Sequence, residues 1–281
     1  MPSLLDTHQH LVYSEQVGYA WTAGIPALAN QSFEVEEYAR ITAGKGVSGT
    51  LFMETGADDY QLETRLIARL AADPDNKIVG MIASCRPEDG SGYDQWLEEC
   101  ADMPVVGYRR ILHVVDDELS RGETFRANIR KLGSRNLTFD MCFRARQLPI
   151  ATGLARSCEN TRLILNHCGV PDIAGGELDP WKQDITELAK CSNVVCKISG
   201  VLAYCAVGTA SKETIGPYID HVIDAFGADR LVWGSNWPVV NMASGLEDWL
   251  EITHDILRRA STHEAEKIAN GTASRIYSTS I

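Results

Sequence analysis

Short apolar runs alternate with longer segments of helical periodicity along the whole chain. The short runs are rich in β-branched residues, which is typical of buried strands, whereas the longer segments repeat their apolar positions with the period of a helix. Eight strands are predicted, at residues 4–6, 48–54, 78–83, 105–109, 137–143, 163–166, 194–198 and 231–234. Helices are predicted between and after them, at residues 33–45, 60–72, 93–101, 124–132, 148–157, 180–190, 212–226, 246–259 and 262–270.

This alternation predicts the fold class. Continuous apolar strands separated by helices form a parallel sheet that is covered on its faces. Eight such units in 281 residues favour a distorted (β/α)8 TIM barrel over an open doubly wound sheet, because the chain has no glycine-rich phosphate motif of the form GxGxxG or GxxxxGK. No linker rich in proline, glycine or serine interrupts the pattern. We therefore expect a single α/β domain over residues 1–281.

The net charge and the cysteines indicate which partners the protein binds and in which compartment it is found. The chain has 38 acidic and 26 basic residues and a formal charge of −12, which argues against binding to nucleic acid or to an anionic membrane. Its eight cysteines include no CxxC pair, and most lie in apolar runs, where a reduced thiol acts as a small hydrophobic side chain. No signal peptide and no membrane-spanning apolar run is recognisable. We expect a cytoplasmic protein, and the sequence leaves its oligomeric state open.

Three histidines follow predicted strands. Active sites of such barrels lie at the carboxyl ends of the strands. His8 and His10 follow the first strand, where alternation places them on the same side, and His167 follows the sixth. Imidazoles that share one face suit a divalent metal ion such as zinc, and the alternative is a metal-free pocket of hydrogen-bonded polar groups. The other four histidines, His113, His221, His254 and His263, lie outside the strand ends and are interpreted as surface or packing residues.

Other side chains at the same ends are candidates for catalysis and binding. Glu54 follows the second strand and is either a general base or the ion-pair partner of an arginine at the barrel mouth. Arg109, with Arg86 nearby, is placed to bind a substrate carboxylate or to stabilise an oxyanion. The aromatic candidates either stack on a ring-shaped ligand or pack the loops, and they are Tyr19, Trp21 and Trp237.

Six sequence blocks occur in a fixed order over nearly the whole chain. They are DTHQH, VVGYRRILH, FDMCFRARQLP, LILNHCGVP, NVVCKISG and RLVWGSNWPVV. Together they resemble the amidohydrolase superfamily, and within it the branch that includes L-fuconolactonase, L-rhamnonolactonase, and the pyrone-dicarboxylate and sulfomuconolactone hydrolases. The resemblance implies a distorted barrel that opens the ring of a small-molecule lactone with water. Some members of this branch use one bound zinc ion and others use no metal.

The resemblance also assigns individual positions. His8 and His10 match the HxH motif of the family, His167 matches its later histidine, and Arg109 matches the arginine of its GxR block. Asn236 stands where the family has the aspartate of a GSDWP motif, which is taken to deprotonate the hydrolytic water. The implied metal ligands are therefore His8, His10, His167 and Asn236.

Asn236 is a departure with chemical consequences, because an amide has no group that takes a proton near neutral pH. Its oxygen can still bind a metal ion or hold a water molecule. Three explanations remain: Glu54 replaces the base, a metal-bound water of lowered pKa needs little help, or the asparagine was introduced deliberately to stall turnover.

We therefore expect hydrolysis of an aldonolactone or a carboxylated lactone, with Asn236, His167 and Glu54 as catalytic groups and Arg109 orienting the substrate. The histidines either hold one divalent ion or polarise the carbonyl directly. Two alternatives are a metal-dependent nonoxidative decarboxylase of the same superfamily and a binding barrel that has lost its chemistry with the aspartate.

Overall fold

Eight parallel strands form the sheet at the centre of the computed structural model, which describes residues 1–279. The strands are β1 Leu4–Gln9, β2 Val47–Met53, β3 Ile78–Ser84, β4 Val105–Ile111, β5 Thr138–Cys142, β6 Leu163–Leu165, β7 Val194–Ile198 and β8 Leu231–Trp233. Each strand pairs with the next one along the chain, in the order β1 to β8. The predicted α/β barrel is confirmed.

Helices connect consecutive strands and surround the barrel. They are α1 Val35–Thr42, α2 Tyr60–Ala71, α3 Ser91–Glu99, α4 Glu123–Ser134, α5 Leu148–Ser157, α6 Asp179–Ala189, α7 Lys212–Phe226, α8 Leu246–Arg259, α9 Thr262–Glu266 and α10 Thr272–Tyr277. The first helix is shorter than predicted because Phe33 pairs with Val12 in an isolated β-bridge. The helix predicted at 262–270 ends at Glu266 and continues as a π-helical turn, Lys267–Gly271, into α10.

The first strand is longer than its sequence predicts. Its apolar run ends before Asp6, but β1 continues through Thr7 and His8 to Gln9, and every one of these residues is buried. A buried polar strand is tolerated only where its groups find hydrogen-bond partners. Asp6 and Thr7 meet that requirement at the edge of β1 that faces β8. Within residues 1–279, His8 Nδ1 and both polar side-chain atoms of Gln9 are buried without a hydrogen-bond partner.

β1 and β8 complete the barrel without a regular ladder between them in the part of the chain that the structure describes. Individual hydrogen bonds cross this seam instead. Thr7 Oγ1 donates to the Trp233 carbonyl at 2.7 Å, and the backbone N–H of Asn236 donates to the His8 carbonyl at 2.9 Å. Asp6 Oδ1 accepts the backbone N–H groups of both His8 and Ser235, at 2.9 and 2.8 Å. The seam therefore fixes the first strand against the segment that carries Asn236.

Two apolar cores determine which end of the barrel is open to a substrate. The larger core fills the space between the sheet and the helices. The smaller core lies inside the barrel, where early strand residues such as Leu5, Val195 and Val232 pack against Ile276 and Tyr277 of α10. Because α10 closes the amino-terminal end in this way, the polar side chains collect at the carboxyl end.

All eight cysteines are free thiols, and six of them are buried. Within residues 1–279, no helix combines the length and the apolar character that crossing a membrane requires.

Candidate active site

Three imidazole rings meet at the carboxyl end of the barrel. The ring of His8, within β1, lies 4.8 Å from that of His10, which follows the strand, and 4.4 Å from that of His167, measured between ring centroids. His167 lies in the turn Asn166–Gly169 that follows β6. All three side chains are buried. The convergence expected from the strand ends is therefore present.

Asn236 lies beside the same cluster. Gly200 separates it from His167, and a Cβ atom added to this glycine would stand 2.5 Å from His167 Nδ1 and 2.9 Å from Asn236 Nδ2. Only glycine leaves room for the two side chains there. His167 and Asn236 both have a left-handed backbone, with φ of 54° and 56°, which asparagine adopts more readily than most residues.

Hydrogen bonds define which nitrogen of each ring is free. His10 Nδ1 lies 2.9 Å from the Met53 carbonyl. Because a carbonyl only accepts, Nδ1 carries the proton and donates it, which leaves a lone pair on Nε2. His167 Nδ1 pairs with Ser199 Oγ at 2.9 Å. His8 Nε2 faces Arg109 Nη1, a donor, at 3.4 Å.

The imidazoles are neutral at physiological pH. Burial lowers the pKa of His8, His10 and His167, and the charges of Arg109 and Lys197 lower these pKa values further. The pKa of His10 falls to about 3. The free ring nitrogens therefore offer lone pairs and not positive charge.

Glu54 forms a buried ion pair with Arg109. Arg109 Nε donates to Glu54 Oε1 at 2.6 Å, its Nη2 donates to the Glu54 carbonyl, and Glu54 Oε2 accepts the Gly56 amide at 2.9 Å. Of the two roles considered for Glu54, the structure shows the ion-pair partner of a mouth arginine. Arg109 is left with Nη1 directed at the histidine cluster.

A second buried ion pair lies deeper in the barrel and includes Asp140, which the sequence analysis did not identify. Lys197 Nζ donates to Asp140 Oδ1 at 2.9 Å and to the Thr7 carbonyl at 2.7 Å. Asn166 Nδ2 donates to the same carboxylate oxygen at 2.7 Å. Both charged side chains are completely buried. The pair joins β1, β5 and β7 beneath the histidines.

A cavity of about 650 Å³ lies over the loops that follow β4 to β7. His113, Arg144 and Tyr204 line it, and the Tyr204 ring lies 6.2 Å from that of His167. His113 was interpreted from the sequence as a packing or surface residue, because it lies in a turn beyond β4 and not at the strand end. Its Nδ1 lies 3.3 Å from the Sγ atom of Cys142.

The two aromatic residues predicted in the loop after β1 lie away from this cavity. Tyr19 is buried beside the carboxyl group of Glu63. Trp21 is 39% exposed and lies against Gly56. A role for either ring in stacking on a substrate stays a prediction.

Arg86 and Trp237 are also held by other contacts and do not line the cavity. The Arg86 guanidinium stacks on Tyr60 at 4.3 Å from the ring centroid and donates to Ser84 Oγ at 2.9 Å. The Trp237 indole is fully buried, with T-shaped contacts to Phe33 and Tyr38. Its proximity in sequence to Asn236 made it a candidate, but its side chain packs in the apolar core.

Glu63 should make stability depend on pH. Burial, and then the charge of Glu54, raises the pKa of Glu63 from 4.5 to about 8. Between these values the folded protein keeps this proton and the unfolded chain has lost it, so stability falls as pH rises through the interval. We expect Glu63→Gln to raise the free energy of unfolding relative to wild type more at pH 8 than at pH 5. Urea denaturation at the two pH values measures this difference.

The exposed Glu36 provides the control for that experiment. Glu36→Gln should give the same small change in unfolding free energy at both pH values. A pH-independent effect of Glu63→Gln would show that the buried carboxyl is not protonated in the folded state.

Comparison with known proteins places this geometry in a family. A family model described as amidohydrolase matches residues 5–279. Two proteins named L-fucono-1,5-lactonase are similar: the one from Burkholderia ambifaria is 27% identical over 252 residues (87% of this chain, 83% of that protein), and the one from Burkholderia multivorans is 27% identical over 296 residues (97% and 95%).

A solved structure supports the fold independently. The crystal structure of an amidohydrolase from Burkholderia multivorans with bound zinc superposes with a TM-score of 0.88 at 23% identity, and covers 99% of this chain and 100% of that one. The residues that the family model matches include nearly the whole barrel and all three histidines of the cluster. The chain therefore belongs to the amidohydrolase family.

Proposed function

We propose that the protein hydrolyses a small lactone by adding water across the acyl C–O bond of the ring. The observation that carries this proposal is the Nη1 group of Arg109, which Glu54 does not engage and which faces a cluster of neutral imidazoles at the open end of the barrel. The similarity to two lactonases supports the same reaction class.

Arg109 is assigned to the oxyanion that forms when the lactone carbonyl is attacked. Its Nε and Nη2 are engaged by Glu54, so bidentate binding of a substrate carboxylate would require displacement of that partner. Nη1 has two N–H groups. One faces His8 Nε2, and the other is assigned to the carbonyl oxygen. A preorganised donor in a buried site stabilises developing negative charge more strongly than it would in water.

His10 and Asn236 are assigned to the water molecule. The lone pair on His10 Nε2 accepts a hydrogen bond from water, and the Asn236 side chain lies beside this ring. A pKa of about 3 makes His10 a weak base, so it orients the water and does not store its proton. Glu54 contributes by holding Arg109 in place.

The donor set fits a firmly bound metal ion poorly. Within residues 1–279, no three histidine, cysteine, aspartate or glutamate side chains are arranged as a metal-binding group. Arg109 and Lys197 place two positive charges near the histidines, and Asn236 supplies no charge where the family has a carboxylate. A dication is held less firmly by such a set. The reaction is therefore assigned to the side chains of this protein.

Incubation with a panel of lactones tests the proposal. The panel contains aldono-1,5-lactones, including L-fucono-1,5-lactone, and carboxylated lactones, and a pH indicator reports release of acid. We expect turnover of at least one compound, because the cluster and Arg109 supply the positioning and the oxyanion donor. A matched sample with excess EDTA should keep its rate within about twofold, since the donor set fits a dication poorly.

Two other results would contradict ring hydrolysis. No acid release from any lactone, combined with no gain after Asn236→Asp, would favour a barrel that binds without chemistry. Release of carbon dioxide from an aromatic or unsaturated acid would indicate a decarboxylase of the same superfamily.

The state of the cysteines favours a cytoplasmic location. All eight cysteines are free thiols, and free thiols persist in reducing compartments. We assign the protein to the cytoplasm on this ground.

A further inference from the structure

Charged side chains divide the cavity of about 650 Å³ into two ends. At the inner end, Arg144 lies two residues after β5, and the Tyr204 ring lies 6.2 Å from that of His167. At the outer end, in the loop before α6 and on that helix, the charged lining residues are Asp172, Glu177 and Asp184. The inner end is therefore the positive one and the one next to the histidine cluster.

The charge of Arg144 acts on the inner end of the cavity only. Burial raises the pKa of the Tyr204 phenol, and the positive charges of Arg109 and Arg144 oppose this rise. Burial lowers the pKa of His113 to about 4, and the same two charges add to that effect. Burial also raises the pKa of Asp184, with no positive charge opposing it. Arg144 is therefore close to Tyr204 and His113 and remote from Asp184.

Arg144 is a cation without a carboxylate partner. Its neighbour Arg146 also lines the cavity, but Arg146 forms an ion pair with Asp117, and Gln147 donates to the same carboxylate. Within residues 1–279, Arg144 has no ion-pair partner, and the residue is exposed. Its backbone N–H donates to Gln147 Oε1 at 2.9 Å, which fixes the point from which the side chain extends. A guanidinium group in this position is suited to binding a carboxylate with two parallel hydrogen bonds.

Tyr204 supplies a neutral hydrogen-bond donor at the same end. Its raised pKa keeps the phenol protonated at physiological pH, so the O–H group can donate to an anion. Tyr204 ends the turn Val201–Tyr204 after β7, whereas Arg144 lies after β5. The two donors therefore approach the inner end from different loops.

Arg109 is not available for the same role. It does not line the cavity, and its Nε and Nη2 are engaged by Glu54. A carboxylate on the substrate thus needs another partner, and Arg144 is the cavity arginine that no carboxylate engages within residues 1–279.

We propose that Arg144 and Tyr204 form a subsite for a carboxylate group of the substrate, so that the preferred lactone carries a carboxylate on its ring. This inference rests on the proposed lactone hydrolysis. The guanidinium binds the carboxylate, the phenol donates to it, and the ester carbonyl is directed toward His167 and Arg109. The acidic outer end repels a carboxylate, so the two ends together favour one orientation of the substrate.

Pairs of substrates that differ only in charge test the subsite. Each carboxylated lactone, such as the γ-lactone of 2-hydroxyglutarate, is assayed beside the carboxamide of the same ring. We expect kcat/KM to be at least about tenfold higher for the carboxylate, because a hydrogen bond to a charged group contributes about that factor. Added salt should reduce this preference. Equal or faster hydrolysis of the carboxamides would overturn the subsite and leave lactone hydrolysis standing.

Substitution of the two cavity arginines assigns the preference to one side chain. Arg144→Gln should raise KM for a carboxylated lactone about 10- to 100-fold, with kcat within about threefold, because binding is lost and not transition-state stabilisation. The preference over the carboxamide should fall to within about threefold. Arg146→Gln removes the same charge from the same cavity and should keep the preference of wild type. An equal loss in both variants would indicate a general effect of charge and would overturn the subsite.

Binding of isophthalate tests the subsite without turnover. This compound carries two carboxylates on a flat ring and has no ester bond to hydrolyse. In isothermal titration calorimetry we expect similar Kd values for wild type and Arg146→Gln, and a Kd at least about tenfold higher for Arg144→Gln. Absence of binding to wild type, or an unchanged Kd in Arg144→Gln, would overturn the subsite. Binding that depends on Arg144 in a protein that hydrolyses no lactone would support the subsite and reject the reaction.

Discussion

Replacing Arg109 by methionine should lower kcat on a lactone substrate by about 10²–10³-fold, the usual loss when an oxyanion donor is removed. Nη1 is the N–H group of this side chain that Glu54 does not engage. The same change should lower the free energy of unfolding by about 3–5 kcal/mol, because Glu54 remains buried without its partner. Initial rates and urea denaturation of one preparation measure both effects.

The neighbouring arginine serves as the matched control. Arg110 forms an ion pair with Glu88 at 2.9 Å, but that pair is partly exposed, and such pairs contribute at most about 1 kcal/mol. Arg110→Met should therefore leave both quantities nearly unchanged. Arg109→Lys should restore little activity, because an ammonium group cannot reproduce the fork that holds Glu54. Equal rates for Arg109→Met and Arg110→Met would remove Arg109 from the mechanism.

The largest loss of stability without a direct contact to substrate is expected for Lys197→Met. Lys197 and Asp140 are both completely buried, so removing the ammonium group leaves an unpaired carboxylate inside the barrel. Breaking such a pair costs about 3–5 kcal/mol. The Thr7 carbonyl also loses its donor. Urea denaturation should show a lower midpoint with an unchanged slope.

A second substitution separates loss of charge balance from loss of packing. Lys197→Met combined with Asp140→Leu should recover most of the lost stability, because apolar replacement of both members of a buried pair is often neutral. Lys190, whose ion pair with Glu187 is exposed, should tolerate Lys190→Met with little change. If the double variant were no more stable than Lys197→Met, an unpaired Asp140 would not be the cause.

The barrel and the convergence of its histidines follow from a physical regularity that sequence alone reveals. Parallel strands that are buried on both faces appear as continuous apolar runs, and their carboxyl ends meet at one rim. His8, His10, His167 and Asn236 each follow such a run, so their proximity was predictable without knowledge of side-chain geometry.

The contact between the Cys142 thiol and the His113 ring was not predictable in the same way. Cys142 lies in an apolar run, where a cysteine usually packs as a hydrophobic residue, and His113 lies in a turn beyond its strand. One signal was present: Asp140 and Cys142 are two residues apart at the end of one strand, which places a polar residue and a thiol on the same face. Recognising the partner histidine required the register of β4 against β5.

Pairing of charges across the barrel also depends on three-dimensional contacts. Asp140 and Lys197 are 57 residues apart in sequence, and no periodicity connects them. The positions of aromatic side chains in loops depend on such contacts too. Tyr19 and Trp237 are buried, and the residues next to them in sequence do not indicate this. Aromatic residues near a motif are therefore weak predictors of a binding surface.

The seam between β1 and β8 affects how mutations in this protein must be interpreted. Asp6, Thr7 and Ser235 lie away from the cavity lining, yet their hydrogen bonds set the spacing between His8 and Asn236. A substitution at any of them would displace the reacting groups and would resemble a catalytic defect in an activity screen. The hydrogen bonds that close the barrel also position the side chains of the candidate site. A loss of activity after substitution at one of these three residues therefore indicates a positioning role and not direct participation in the reaction.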